Sequence, residues 1–332
     1  MWGWSDGRPR HCLKIGPQAL VWGESSRTWR GRSRYRCVLS PTPAGAVKLS
    51  PIDLNFTDRS ALEARLRSLA GGSTDLNVFG RTLLSEIPRP VTLVLPDLAV
   101  RASVIQLEQL PARIDEQEAL IRWRLGQEQR LPVAGARLSW QVFPSRQPGE
   151  DFYTVMVLAI QEAILHEYES ACESVGLLPR EVTVASFRLF DLWLKVAGGR
   201  RCLSKDLAWL TVLDGGLTCL MIHEGRPVFV RTKLLTGEVM HKEDGRSREW
   251  VEKIVHETET SILACQERYP DFHIQNLVLM TDCELSGLEE ALGNEFGVAT
   301  EQLEWGQVKS LGWSHEGGTT ALAALPVVAG LV

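Results

Sequence analysis

Apolar runs broken by tight glycine turns dominate two stretches of this chain. In DLAWLTVLDGGLTCLMIHEGRPVFVRTKLL, apolar residues fill Leu207–Leu213 and stop at Asp214-Gly215-Gly216. They resume over Leu217–His223, stop at Glu224-Gly225-Arg226-Pro227, and return over Val228–Leu234. Short β-rich runs with glycine at each break predict a three-stranded antiparallel meander. The same pattern stands near the start: His11–Ile15, a Gly16-Pro17 turn, Gln18–Gly23, and a third run at Arg34–Leu39. Two meanders roughly 200 residues apart predict a duplicated α/β architecture with a site between the halves.

Between and after them the pattern changes period. Leu62, Leu66 and Leu69 mark a helix over Ser60–Ala70, capped by Asp58 or Ser60. Val91–Leu95 reads as a buried strand stopped by Pro96-Asp97, and Val100–Leu107 as another. A helix over Asp115–Arg130 puts Ile114, Glu118, Ile121 and Leu125 on one face and ends at Pro132. Strands follow at Arg137–Phe143 and Asp151–Ile160. Next comes a helix over Gln161–Val175 with Ile164, Leu165, Tyr168 and Cys172 inward and Gly176 as its C-cap. A strand at Glu181–Ala185 and a helix at Phe187–Val196 lead to Gly198-Gly199-Arg200-Arg201, the expected hinge. After the second meander come a helix at Glu249–Tyr269, a strand at Leu277–Met280 and a helix at Gly287–Phe296. A final buried helix starts near Gly317-Gly318-Thr319 and is interrupted by Pro326. The expected division is a first lobe over 1–197 and a second over 198–332, with the last helix packing back on the first.

Composition narrows the function. A chain of 332 residues is long for one core, and 44% hydrophobic with 23% charged residues is globular. The net charge of −5 argues against general nucleic-acid binding. The seven cysteines form no CxxC pair, so neither a zinc site nor a disulfide framework is indicated, and reduced thiols fit a cytoplasmic protein. The N-terminus lacks the apolar core of a signal peptide, and no window approaches the roughly 18 apolar residues of a membrane span. Membrane association is therefore expected only through a partner or a surface. Arg30, Arg32, Arg34 and Arg36 alternate, sharing one strand face that is either solvated or attracted to anionic headgroups.

The candidate chemistry is concentrated in one turn. Gly215 and Gly216 leave backbone N–H groups open to an anion, Asp214 could hold a hydrated cation, and Thr218 could donate a hydrogen bond. The same residues also make an ordinary Asp-Gly hairpin. No metalloprotease, nucleophile-elbow, P-loop or EF-hand motif occurs, and the seven histidines are scattered. No catalytic residue or metal ligand is assigned.

The motifs PVTLVLPDLAVRASVIQLEQLP, EQEALIRWRLGQEQRLP, YTVMVLAIQEAILHEYESACESVGLLP, LTVLDGGLTCLMIHEGRPVFVR and LSGLEEALGNEFG, in this order, resemble the PilM family of type IV pilus assembly proteins. Pro96, Glu118, Trp123, Leu131 and Pro132 stand at family-marking positions. The resemblance implies an actin-like two-lobed α/β (α+β) fold with a small subdomain inserted at about 101–148. It also implies ATP with magnesium between the lobes. The implied partner is a PilN-like single-pass protein of the inner-membrane pilus platform, whose N-terminal cytoplasmic tail is gripped by the first lobe and its insert.

Three positions depart from that pattern. The family's Asp before the first phosphate turn is replaced by Lys14, ahead of Ile15-Gly16-Pro17, which puts a cation where a cation should bind. Pro17 removes a backbone donor. The adenosine-side glycines are replaced by Met280-Thr281-Asp282, while Asp214-Gly215-Gly216 is kept. The nucleotide-site residues are then Gly16, Asp214, Gly215, Gly216 and Thr218 in a degenerate site. The expected function is a cytoplasmic scaffold and pseudo-ATPase, peripheral to the inner membrane, with Trp123 as the residue to test for peptide binding. The alternatives are an active actin-like ATPase or sugar-kinase-like enzyme, and the cytoplasmic domain of a GspL-like type II secretion protein. Proteins of the last kind continue into a membrane span, whereas this sequence ends at Val332.

Overall fold

The computed structural model describes residues 9–27, 33–71, 88–128, 133–144, 152–196, 202–235, 244–303, 307–308, 313–315 and 321–331. The expected hinge at Gly198–Arg201 and the side chains of Arg27, Arg30, Arg32 and Arg34 lie outside them.

Both meanders form. Strands β1 (His11–Ile15), β2 (Ala19–Arg27) and β3 (Ser33–Pro41) pair antiparallel. Strands β4 (Arg89–Leu95) and β8 (Leu177–Val184) extend the sheet in parallel from β1, and β14 (Trp313–His315) adds to β3, in the order β14-β3-β2-β1-β4-β8. In the second sheet, β9 (Leu207–Leu213), β10 (Gly216–His223) and β11 (Arg226–Leu234) form the meander, and β12 (Asn276–Thr281) and β13 (Thr300–Gln302) continue in parallel, in the order β11-β10-β9-β12-β13. Apart from β14, the two orders are the same, which is the duplication the repeated pattern predicts. A third, antiparallel sheet, β5-β7-β6, is made by β5 (Arg101–Leu107), β6 (Ala136–Pro144) and β7 (Tyr153–Gln161). It interrupts the first half between β4 and β8.

The helices are α1 (Arg59–Gly71), α2 (Ile114–Glu128), α3 (Glu162–Glu173), α4 (Ala185–Val196), α5 (Asp244–Arg268), α6 (Leu288–Phe296) and α7 (Ala321–Leu331). Asp58 caps α1 by accepting the Ala61 N–H at 3.0 Å. Asp214 and Gly215, with φ of 54° and 78°, make the first tight turn of the second meander, and Glu224 and Gly225, at 50° and 77°, make the next. Among the described residues no helix is long and apolar enough to cross a membrane.

Alternation along the strands sets what each sheet face meets. In β9, Leu207, Trp209 and Leu213 enter one core while Ala208, Leu210 and Val212 enter another. The first of these cores runs through both halves. Cys12, Val21 and Val94 of the first sheet share it with Leu207, Trp209, Leu220, Val278 and Met280 of the second, and with α4 and α7. Phe190 of α4 meets Trp209 edge-on, Trp193 packs tilted against both, and the Trp193 Nε1–H donates to Glu301 Oε1 at 3.0 Å. Helix α7 lies against β1, β2, β3, β4 and α4. It comes close because two glycines leave room. A Cβ on Gly23 would meet Val327 Cγ1 at 2.4 Å, and one on Gly330 would meet Cys12 Sγ at 2.5 Å. Gly23→Ala is therefore expected to destabilise the fold by about 1–3 kcal/mol through overpacking. Urea denaturation checks this, and an unchanged midpoint would show that α7 can retreat freely.

Several expectations need correction. Ile114 does not share the buried face of α2: Ile121 and Leu125 are buried, but Ile114, in the first turn, is 66% exposed. Strand β8 begins at Leu177 rather than Glu181, because Pro179 disguises it; a proline is tolerated there since β8 is an edge strand. Pro326 lies inside α7 without ending it, and Ala324, Leu325, Val327 and Val328 around it are all buried.

Candidate functional site

Along β1, Leu13 and Ile15 point into the core shared with α1 and α3, so Cys12 and Lys14 point the other way, toward the second half. Lys14 is 2% exposed. Its ammonium meets the carboxylate of Asp214, itself 7% exposed, with Nζ 2.8 Å from Oδ1 and 2.7 Å from Oδ2. The pair joins the strand that leads into the first turn to the tip of the second meander. Burial disfavours the charged ammonium. The fields of Asp214, Asp282 and Asp97 and the hydrogen bond to Asp214 outweigh it, so Lys14 is held above the ordinary lysine value.

Asp282 completes the arrangement from the end of β12. Its Oδ2 accepts the Asp214 N–H at 2.7 Å, while its own N–H donates to Val212 O at 3.2 Å. Burial, then the nearby Asp214, push the Asp282 carboxyl up. The Asp214 N–H that could have met an anion is thus already taken by a side chain.

A second buried network sits beside the first. After β4 the chain turns through a short 3-10 corner, Asp97–Ala99. Asp97 Oδ1 accepts the Ser186 N–H at 3.0 Å in the first turn of α4, where the helix dipole favours an anion. Its Oδ2 accepts from the Ser186 hydroxyl and from Thr218 Oγ1 at 2.9 Å, and Thr211 Oγ1 lies 3.5 Å away. Burial raises the Asp97 pKa against these hydrogen bonds. Thr218 is therefore committed to Asp97 rather than to a ligand in the turn.

These atoms do not fit a nucleotide with its metal. A Cβ on Gly16 would come 2.6 Å from Asp214 Oδ1, so the first turn lies directly against the second. A Cβ on Gly216 would meet Leu98 Cγ at 2.9 Å. The Lys14 side chain and the Asp214 carboxylate meet between the turns as an ion pair, with the Asp282 carboxyl beside them on the Asp214 N–H. Among the described residues no group of three or more His, Cys, Asp or Glu side chains is placed to hold a metal ion. Gly16, Asp214, Gly215 and Gly216 are brought together across the halves, but as a contact.

Two of the deciding groups were not singled out as partners from the sequence. A lone lysine in a buried strand must be paired, and Asp214 and Asp282 were the acids already placed in the facing turns. That signal was sufficient to find the pair. Asp97, in the Pro-Asp corner, offered no local clue to its partners, which lie 89 to 121 residues away.

A separate cleft of about 400 Å³ lies between the inserted sheet and the first half. Arg137 of β6 faces Glu162, Ala163, Leu165, His166 and Glu169 of α3 across it. Arg137 and Glu162 approach to 3.8 Å at its exposed rim. Burial first, then Glu173, push the Glu169 carboxyl up. Trp123 does not line this cleft. It stands 59% exposed on α2, beside Arg122, whose guanidinium donates to the carbonyls of Val133 and Ala136 and so buttresses the start of β6.

The duplicated sheets, the interposed third sheet and the two facing turns define a two-lobed protein of actin-like fold. No protein-family model and no curated protein sequence matches the chain. Among solved structures, a chain of the PilM-PilN type IV pilus biogenesis complex superposes with a TM-score of 0.71 at 20% identity, over 98% of this chain and 100% of that one. The resemblance to the PilM family holds at the level of the fold. A Bacteroides thetaiotaomicron protein with an actin-like ATPase fold gives a TM-score of 0.47 at 12% identity, covering 90% of this chain and 94% of its own. The cytoplasmic domain of EpsL, an inner-membrane component of the type II secretion system of Vibrio cholerae, gives 0.44 at 10% identity, covering 96% and 93%.

Proposed function

We propose that this protein is a non-catalytic scaffold of type IV pilus assembly that holds the cytoplasmic N-terminal tail of a PilN-like inner-membrane protein. In this role it is a pseudo-ATPase: it keeps the two-lobed architecture and does not use nucleotide. The observation that carries the second statement is the buried Lys14–Asp214 pair, which fills the space between the two turns with the protein's own charges. Support for the first comes from the shared fold of the pilus complex and from the cleft between β6 and α3. Ala163 and Leu165 give that cleft an apolar wall, and Arg137, Glu162 and Glu169 give it a charged rim. An extended segment suits such a site, with apolar side chains seated and backbone or charged groups at the edge. The protein would then sit in the cytoplasm and reach the membrane only through its partner.

The test is a binding titration with a synthetic peptide of the partner's N-terminal cytoplasmic residues. Saturable binding is expected that is equal with and without Mg-ATP, and Leu165→Asp in the cleft is expected to weaken it by tenfold or more, about 1.4 kcal/mol. No binding in either condition would remove the scaffold reading.

A further inference from the structure

The ion pair that fills the cleft is also the start of a continuous mechanical link. Asp214 is fixed by Lys14 on one side and by Asp282 on the other, and Gly16 and Gly216 bring the two halves to van der Waals contact beside it. The meander that carries Asp214 ends in β11, which packs against β5 and β7 of the inserted sheet. At the far end of β5, Gln106 Nε2 donates to Tyr269 Oη at 2.9 Å, and Arg268 Nη2 donates to Gln106 Oε1 at 3.4 Å, so the C-terminal end of α5 grips the same strand. Strand β5 is paired with β7 along its whole length and β7 with β6. Strand β7 runs straight into α3. One wall of the cleft, Arg137 on β6, is therefore borne on a sheet that packs against the second half, while the other, α3, is fixed in the core of the first half.

We propose that the Lys14 ammonium is a built-in replacement for a bound metal and nucleotide: a tethered cation that keeps the two halves closed and, through β11 and β5, holds the β6–α3 cleft in its binding shape without a ligand. A diffusible ligand shifts such an equilibrium only by its differential affinity and only at sufficient concentration. A lysine attached to β1 is present at a fixed effective concentration, so closure no longer depends on any nucleotide pool. This deepens the scaffold reading by naming how its cleft is regulated, and it rests on that reading for what the cleft binds.

Hydrogen exchange measured by mass spectrometry on the full chain tests it without any peptide. The variant Lys14→Met with Asp214→Asn removes both members of the ion pair with little change of volume, so neither leaves its partner orphaned, and asparagine tolerates the positive φ of position 214. Exchange is expected to quicken roughly tenfold or more in the turns at Gly16 and Gly215 and also in β5 and β6, with α1 and α6 unchanged and no reversal by Mg-ATP. Wild-type rates throughout, or opening confined to the turns, would overturn the proposal. A second variant, Gln106→Ala, leaves the ion pair and the β11 packing intact and removes the hold of the α5 end on β5. It is expected to quicken β5 and β6 while the turns stay protected, and unchanged β5 rates would overturn the coupling. Failure of the tail titration would count against the scaffold reading and leave these exchange results standing.

Discussion

Lys14→Ala is expected to cost the fold about 3–5 kcal/mol, because it leaves the Asp214 carboxylate buried without its cation. Removing both partners, as Lys14→Met with Asp214→Asn, is expected to cost much less, since a buried pair repays only part of its own desolvation. The comparison separates the worth of the pair from the penalty of an orphan charge. Urea denaturation of the three proteins measures it, and equal losses in the single and double variants would show that Asp214 finds another partner. The difference between wild type and Lys14→Ala also has a defined pH course. Because folding raises the Lys14 pKa above the ordinary 10.5, its contribution is fully present below that value and is lost as pH rises through the folded pKa. The stability gap is therefore expected to stay constant from neutral pH to about 10 and to shrink above it.

Asp97→Ala is the other change with a large expected effect, again about 3–5 kcal/mol. It leaves the Ser186 N–H buried with no acceptor, at about 1–3 kcal/mol, and leaves the Ser186 and Thr218 hydroxyls with only the hydroxyls of Thr211 and Thr232 as partners. It also removes the anion at the start of α4, the helix that packs its aromatic side chains into the core shared by both halves. Asp97→Asn keeps an acceptor for Ser186 and lets the hydroxyls rotate, so its loss is expected to be smaller. Thermal and urea unfolding of the two variants give the comparison, and an Asn variant as unstable as the Ala variant would mean that the charge itself is required.

The sheets were the most legible part of the fold. Glycine breaks between apolar runs located both meanders, since a tight turn with positive φ at Asp214 and Gly215 leaves a mark in four residues of sequence. Long amphipathic helices were found within a few residues of their ends. Features that depend on what packs against an element were not. Trp123 and Ile114 carry the side chains of a core, but the apolar seam of α2 is narrow, passing through Ile121 and Leu125, and leaves both of them exposed. Leu177–Arg180 looked like a loop because edge status, which excuses Pro179, is a property of the finished sheet.

At the candidate site, the substitution of Lys14 was visible at once, but its consequence was not. Read locally, a lysine beside a phosphate turn repels a metal or contacts a phosphate. In the folded chain it reaches a carboxylate 200 positions away. The turn Asp214-Gly215-Gly216 is thereby more than a hairpin that keeps the second meander in register, for its Asp214 is one partner of a buried ion pair between the halves. Asp282 likewise turns out to hold the Asp214 N–H in place.

Calorimetric titration of the full chain with Mg-ATP bears most directly on the claim that this cleft works without nucleotide. Lys14 already spends its charge on Asp214 and has none to offer a phosphate, so no saturable heat is expected up to millimolar nucleotide. A one-site isotherm with a Kd well below about 1 mM, lost on replacing Gly215 or Gly216, would contradict it.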